Sequence, residues 1–249
     1  MEHFDELWPG GPRFLQYKDS PRLSTDSVLL ADFTRLRRGA RVLDLGCGAG
    51  VLPVLLAARE ETVAVTGVEI QPDFAALARR NLAENGFDER CRVLEGDLRE
   101  LRSLIPAESF DIVVSNPPYF AEGSGYSAPA ESRAHAREEK SCTLADLCAA
   151  AKWALRWGGS FFVVYRPERL SELFCAMTAA GIEPKRLREV AAFPGRAPSL
   201  VLVEGRRGGG KGLVFEAPLV LTDESGSDSA EVQRIYRRGP CAPKEGRPS

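Results

Sequence analysis

The sequence predicts an α/β fold: a central, mostly parallel seven-stranded sheet with helices on both faces and a late antiparallel hairpin. Three observations carry this reading. Short runs rich in Val, Ile and Phe alternate with segments of helical period, the pattern of parallel strands joined by crossover helices. Glycine or proline punctuates the junctions, as at Gly86, Asn116-Pro117-Pro118 and Gly181. The 249 residues, 44% hydrophobic and 27% charged, suffice to bury one large core.

In chain order, residues 41–47 read as a buried strand and 51–60 as the helix that follows a glycine turn. Residues 62–70 form the second strand. Pro72 then takes a favoured first-turn position of a helix that runs to about Asn85 and is stopped by Gly86. A third strand spans 91–97. The fourth, 110–115, halts at the Asn-Pro-Pro turn, because neither proline can donate to a ladder. Residues 144–155 give a helix, 160–166 a strand, and 167–180 a helix closed by Gly181. The runs 186–193 and 199–205, separated by Pro194 and Gly195, make the hairpin at one edge. Residues 1–40 are expected to form an N-terminal extension, 41–205 the main domain, and 206–249 a C-terminal extension with a flexible tail, ordered only over 213–222 and 232–237. The polar stretch 121–140 has no strong period; a loop that long is usually functional or disordered.

Composition excludes several classes. The 33 Lys and Arg nearly balance 35 Asp and Glu, so any nucleic-acid surface must be local. Six cysteines without a C-x-x-C pair and two histidines argue against a metal and for reduced thiols in a cytoplasmic protein. No apolar leader opens the chain, and its longest apolar stretch, Val51 to Ala58, is far too short to span a bilayer.

Asp44-Leu45-Gly46-Cys47-Gly48-Ala49-Gly50 lies between a strand and a helix, where glycines let the backbone bend tightly and approach a ligand. A dinucleotide fingerprint needs a small residue where Val51 stands, so a nicotinamide fits poorly. The pattern D-x-G-x-G-x-G is instead the form of methyltransferase loops. Glu69, ending the second strand, is placed to accept both hydroxyls of a ribose, and Asp97, ending the third, to receive an adenine amino proton. S-adenosylmethionine satisfies all three acids, since its sulfonium also gains from nearby carboxylates.

The strongest signal is Asn116-Pro117-Pro118-Tyr119 at the end of the fourth strand. An exocyclic nitrogen on a base delocalises its lone pair into the ring and is a poor nucleophile until drawn toward tetrahedral geometry. The Asn116 side-chain oxygen and the Pro117 carbonyl can each accept one N–H, Pro117 and Pro118 hold those acceptors still, and Tyr119 offers a face for stacking an extruded base. A glutamine amide presents the same two N–H donors, and a non-catalytic nucleotide- or RNA-binding module could keep the fold.

Together these motifs resemble the Rossmann-like class I methyltransferases that act on amino groups. Arg13-Phe14-Leu15-Gln16 and the segment from Leu23 to Ala31 resemble the N-terminal signature of bacterial tRNA1(Val) adenine-N6 methyltransferases. The runs 136–139, 184–188, 202–206 and 218–221 are similar too, so the likeness reaches about Tyr236. Ser227-Asp228-Ser229-Ala230 departs from it where the family tends to carry a tyrosine, and the tail after Arg237 has no counterpart. The resemblance implies an enzyme that methylates the adenine beside the anticodon, with Thr25 and Asp26 near the methionine end of the cofactor; an N-terminal extension that completes the site and a monomeric state are expected. An N-cap at Ser24 or Thr25 explains those two residues equally well. Basic residues concentrate in the final quarter, where Lys185, Arg186 and Arg206 are candidate RNA contacts, as are Arg133 and Arg137 after the catalytic turn.

Overall fold

The structure, a computed structural model, describes residues 3–16, 24–117 and 142–237. A small antiparallel hairpin, β1 (His3–Glu6) and β2 (Arg13–Gln16), precedes helix α1 (Thr25–Phe33). The repeat follows as β3 (Arg41–Leu45), α2 (Val51–Arg59), β4 (Ala64–Glu69), α3 (Pro72–Glu84) and β5 (Cys91–Glu95). Next come the short α4 (Leu101–Leu104), β6 (Phe110–Ser115), α5 (Leu144–Ala154), β7 (Leu155–Tyr165) and α6 (Leu170–Ala179). The chain closes with β8 (Ile182–Ala191), β9 (Leu200–Arg207), the two-residue strands β10 (Val214–Phe215) and β11 (Leu219–Val220), and α7 (Ala230–Arg237).

Among the described residues the main sheet runs β10-β8-β9-β7-β6-β3-β4-β5, with β11 also on β8. Its seven-stranded centre is the predicted one: β7, β6, β3, β4 and β5 are parallel, and the β8–β9 hairpin is antiparallel, β9 lying between β7 and β8. The two extra strands add in parallel to the outer edge of β8. Two strands start earlier than their sequence suggests. β7 begins directly at the end of α5, ahead of Gly158 and Gly159, with a register shift opposite Phe110 and Ile112. β8 begins at Ile182 because the ladder shifts register between Pro184 and Arg186, which accommodates a residue that cannot donate.

Alternation along the strands builds two cores. Val42, Val114, Phe162 and Val164 face the layer containing α1, α2 and α7; Leu43, Val113, Phe161 and Val163 face the layer containing α5 and α6. Side-chain amides of α3 hold the N-terminal hairpin onto this body. Buried Asn81 accepts from the Leu15 amide at 2.7 Å through Oδ1 and donates to the Ala49 carbonyl at 2.9 Å. Asn85 brackets Arg13 in the same way.

The chain runs from β3 outward to β4 and β5, then returns to place β6 on the other side of β3. Strand order reverses there, and open α/β sheets bind ligands at the carboxyl edge of such a switch point.

Candidate active site

A cleft of about 340 Å³ opens at that point, between the loop after β3, the ends of β4 and β5, and the end of β6. Gly46 and Gly48 bend its floor with φ of +75° and +51°, in the left-handed region that side-chain-bearing residues rarely adopt. The loop is anchored by the Gly46 and Cys47 amides, which donate to the Val68 carbonyl at 2.9 and 3.0 Å. Gly50 serves packing rather than the cleft: a Cβ there would lie 2.9 Å from Cβ of Ala78 on α3.

Three acids line the cleft in different states. Asp44 is 1% exposed, and neither of its carboxylate oxygens has a hydrogen-bond partner among the described residues. Burial, and then the negative charge of Glu69, push its pKa well above the ordinary value. Glu69 is also buried, but it is engaged: Oε2 accepts from the Gly48 amide at 2.8 Å and Oε1 from the Gln71 amide at 2.9 Å. It therefore clamps the glycine loop to the start of α3. Asp97 accepts from the Arg99 amide at 2.8 Å and from the Arg99 guanidinium through both oxygens, which lowers its pKa.

Asn116 stands at the opposite wall, immediately beyond β6, whose Ser115 hydroxyl donates to the Leu45 carbonyl at 2.8 Å and ties the ends of β6 and β3 together. Its Nδ2 donates to Oγ of Ser27 at 3.0 Å and to Oγ of Ser24 at 3.3 Å. Pro117 lines the same wall.

Asp44, Gly46, Gly48, Glu69, Asp97, Asn116 and Pro117 thus share one cleft. Pro118, Tyr119, Arg133 and Arg137 lie outside the described residues. Two expectations from the N-terminal segment need correction. Thr25 and Asp26 do not line the cleft; Ser24 and Ser27 do, because residues three apart share a helix face and those between them turn away. Thr25 instead receives a hydrogen bond from Tyr236 of α7 at 3.4 Å. Ser24 is the N-cap of α1, accepting from the Ser27 amide at 3.3 Å. The spacing S-x-x-S at a helix start was the available signal for both serines.

One arginine of the basic final quarter is also corrected. Arg186 is buried; it donates to Glu204 at 2.7 Å, to Glu216 at 2.8 Å and to the Phe33 carbonyl at 2.8 Å, so it belongs to the core and not to an RNA surface. Lys185 donates to the Gly210 carbonyl and Arg206 to the Gly158 carbonyl, and the pairing of Arg206 with Ser160 puts it at the amino edge of the sheet, away from the cleft. Among the described residues no group of three or more His, Cys, Asp or Glu is arranged to hold a metal ion, and no helix is long and apolar enough to cross a membrane.

Comparison with known proteins decides the family. The methyltransferase small domain family matches residues 22–177. A tRNA1(Val) (adenine(37)-N6)-methyltransferase of Porphyromonas gingivalis is 34% identical over 191 residues, 74% of each chain, and one of Tolumonas auensis 32% identical over 183 residues, 73% of this chain and 75% of its own. The chain belongs to this methyltransferase family. A solved structure described as a predicted O-methyltransferase, Atu636 from Agrobacterium tumefaciens, is 27% identical with a TM-score of 0.71 and covers 85% of this chain and 95% of its own. Geranyl diphosphate C-methyltransferase from Streptomyces coelicolor, solved with S-adenosyl-L-homocysteine, shares the fold at 16% identity and a TM-score of 0.53, covering 73% of this chain and 79% of its own.

S-adenosylmethionine is the cofactor of this methyltransferase, and the residues present fit it. A buried carboxylate left without a donor at Asp44 suits a ligand that brings positive charge or N–H groups, and the glycine floor leaves open space where Cβ atoms would stand at Gly46 and Gly48.

Proposed function

We propose that this chain methylates the exocyclic N6 amine of an adenine in tRNA, the adenine beside the anticodon of tRNA-Val, using S-adenosylmethionine. The observation that carries the reading is the Asn116 amide: its nitrogen donates to two serines, so among the described residues its oxygen is the end left for an incoming amine. The names borne by the relatives supply the substrate class.

Asp44, Glu69 and Asp97 hold the cofactor, Glu69 toward the ribose and Asp97 toward the adenine. Bound there, S-adenosylmethionine supplies an electrophilic methyl group. Asn116 Oδ1 and the Pro117 carbonyl accept the two N–H bonds of the target amine and draw its lone pair out of the ring. Both acceptors sit on a proline-stiffened turn, so they need no reorganisation as charge develops. Tyr119 stacks on the extruded base and Pro118 packs beside it; Arg133 and Arg137 take the flanking phosphates. No general base is required beforehand, because the cationic product amine is acidic and sheds its proton readily. The enzyme works as a monomer in the cytoplasm, and tRNA as substrate supports that compartment.

The test is to supply labelled methyl donor with unmodified tRNA, DNA or total protein, then digest and identify the product. Label in N6-methyladenosine from tRNA is expected; label on a glutamine amide overturns the reading. Asn116→Ala is expected to lower turnover about 10²- to 10³-fold, by analogy with loss of a preorganised polar partner, with cofactor affinity retained. Normal turnover in that variant would remove Asn116 from the chemistry.

A further inference from the structure

We infer that Ser24 and Ser27 are positioning residues that fix which end of the Asn116 amide faces the cleft. A primary amide is nearly symmetric in shape but opposite in function at its two ends: turned one way it offers an acceptor to a substrate amine, turned the other way it offers two hydrogens that repel the amine's own. Among the described residues of the Asn-Pro-Pro turn, no hydrogen bond selects between these.

The two serines do. Nδ2 of Asn116 donates to Ser27 Oγ at 3.0 Å and to Ser24 Oγ at 3.3 Å. The donor end of the amide is thus turned to the serines, and Oδ1 is its other polar atom. The serine oxygens are themselves oriented as acceptors. Ser24 Oγ takes the Ser27 backbone N–H, a group that can only donate, and passes its own hydrogen to Ser27 Oγ at 3.3 Å. The chain of donation starts at a helix cap: the Ser27 amide gives to Ser24 Oγ and Ser24 Oγ gives to Ser27 Oγ, while the Asn116 amide gives to both hydroxyl oxygens. Ser27 is 7% exposed, so water does not readily replace it as the acceptor. The first turn of α1 is held in place by Tyr236, whose hydroxyl donates to Oγ1 of Thr25 at 3.4 Å.

This inference rests on the proposed role of Asn116 as acceptor, and the experiment separates the two. Ser27→Ala, Ser24→Ala and Ser24→Thr are made in the full chain, the two alanine variants also in an Asn116→Ala background. For each, turnover, KM for S-adenosylmethionine and for tRNA, and thermal midpoint are measured. Ser27→Ala is expected to lower kcat about tenfold, the worth of one oriented hydrogen bond, with both KM values within about twofold of wild type. Ser24→Thr, which keeps the hydroxyl and the cap, is expected to retain kcat where Ser24→Ala loses it. In the Asn116→Ala background neither alanine substitution is expected to change the residual rate, since the serines then have no amide to orient.

Equal losses in both backgrounds, or unchanged kcat in both serine variants, would overturn the inference while leaving Asn116 in its role. If Asn116→Ala itself turns over normally, the reading of the site fails first. Should Ser27→Ala not fold, the Ser24→Ala and Ser24→Thr pair decides the same question at a site that is only half-buried.

Discussion

Asp44 and Arg186 are both ionisable, both buried and both on strands of the same sheet, yet their surroundings are opposite. Arg186 has a partner at each of its three nitrogens, two carboxylates within 2.8 Å, and the Phe33 ring 3.8 Å from its guanidinium carbon. Among the described residues Asp44 has no hydrogen-bond partner, and the group that acts on it by charge, Glu69, has the same sign. A buried charge that is fully paired holds elements together; one left unpaired at a sheet's carboxyl edge is reserved for a ligand. The contrast separates the part of this molecule that keeps its shape from the part that does chemistry.

The largest effect that tests the contrast is on stability. Arg186→Met leaves Glu204 without its cation and Glu216 with only the more exposed Arg35 at 3.3 Å, and loss of one partner from a buried ion network costs about 3–5 kcal/mol. Denaturant unfolding measures it, and a loss under about 1 kcal/mol would mean that the node is not structural. Asp44→Asn is expected to act in the opposite sense, holding or raising stability while weakening cofactor binding. The pH dependence follows from the sign of the shift. A carboxyl whose pKa is raised in the folded state keeps its proton longer there than in the unfolded chain, so its ionisation destabilises the fold as pH rises from about 3.9 through the raised value. The stability advantage of Asp44→Asn over wild type should accordingly be absent in acid and grow toward neutral pH. Thermal midpoints measured across that range, without cofactor, check it; an advantage independent of pH would count against the buried, unpaired state of Asp44.

These two sites also mark the limits of sequence reading. Asp44, Glu69, Asp97 and Asn116 were legible because a parallel sheet puts every strand end on one edge, so local periodicity alone brings them together. The S-x-x-S spacing marks Ser24 and Ser27 as a helix start but not as neighbours of Asn116, since those contacts span 92 and 89 residues and depend on how α1 packs. Arg186 was misread for a related reason. The run Pro184-Lys185-Arg186-Leu187-Arg188 is basic taken alone, but its counter-charges arrive from Glu204, Glu216 and Glu231 on later elements. Charge density along a chain is not charge density on a surface. The seven-stranded centre was readable from its apolar runs, whereas β10 and β11, two residues each, exist only because β8 offers them an edge.

The smallest effect distinguishes the two edges of the sheet. Phe193-Pro194-Gly195-Arg196 makes a tight turn at the carboxyl edge, with Gly195 at φ +69° and the Arg196 amide donating to the Phe193 carbonyl at 3.3 Å, so an aromatic ring 49% exposed and an exposed arginine are presented on the same edge as Asn116. Proline followed by glycine is the composition that fixes such a turn, so the pair needs no ordering to meet a nucleic acid. Arg206 is equally exposed but stands at the amino edge. With a tRNA adenine at Asn116, Arg196→Glu is expected to weaken tRNA binding about fivefold and to reduce the slope of log affinity against log salt by about 1, the signature of one phosphate contact. Arg206→Glu should leave the slope unchanged and the affinity within about twofold, as for a surface substitution away from any contact. Binding titrations at three salt concentrations measure both. If the slope responds to Arg206 and not to Arg196, the RNA crosses the sheet on the side where the arginines of the final quarter are dense in sequence, and the carboxyl edge receives the base alone.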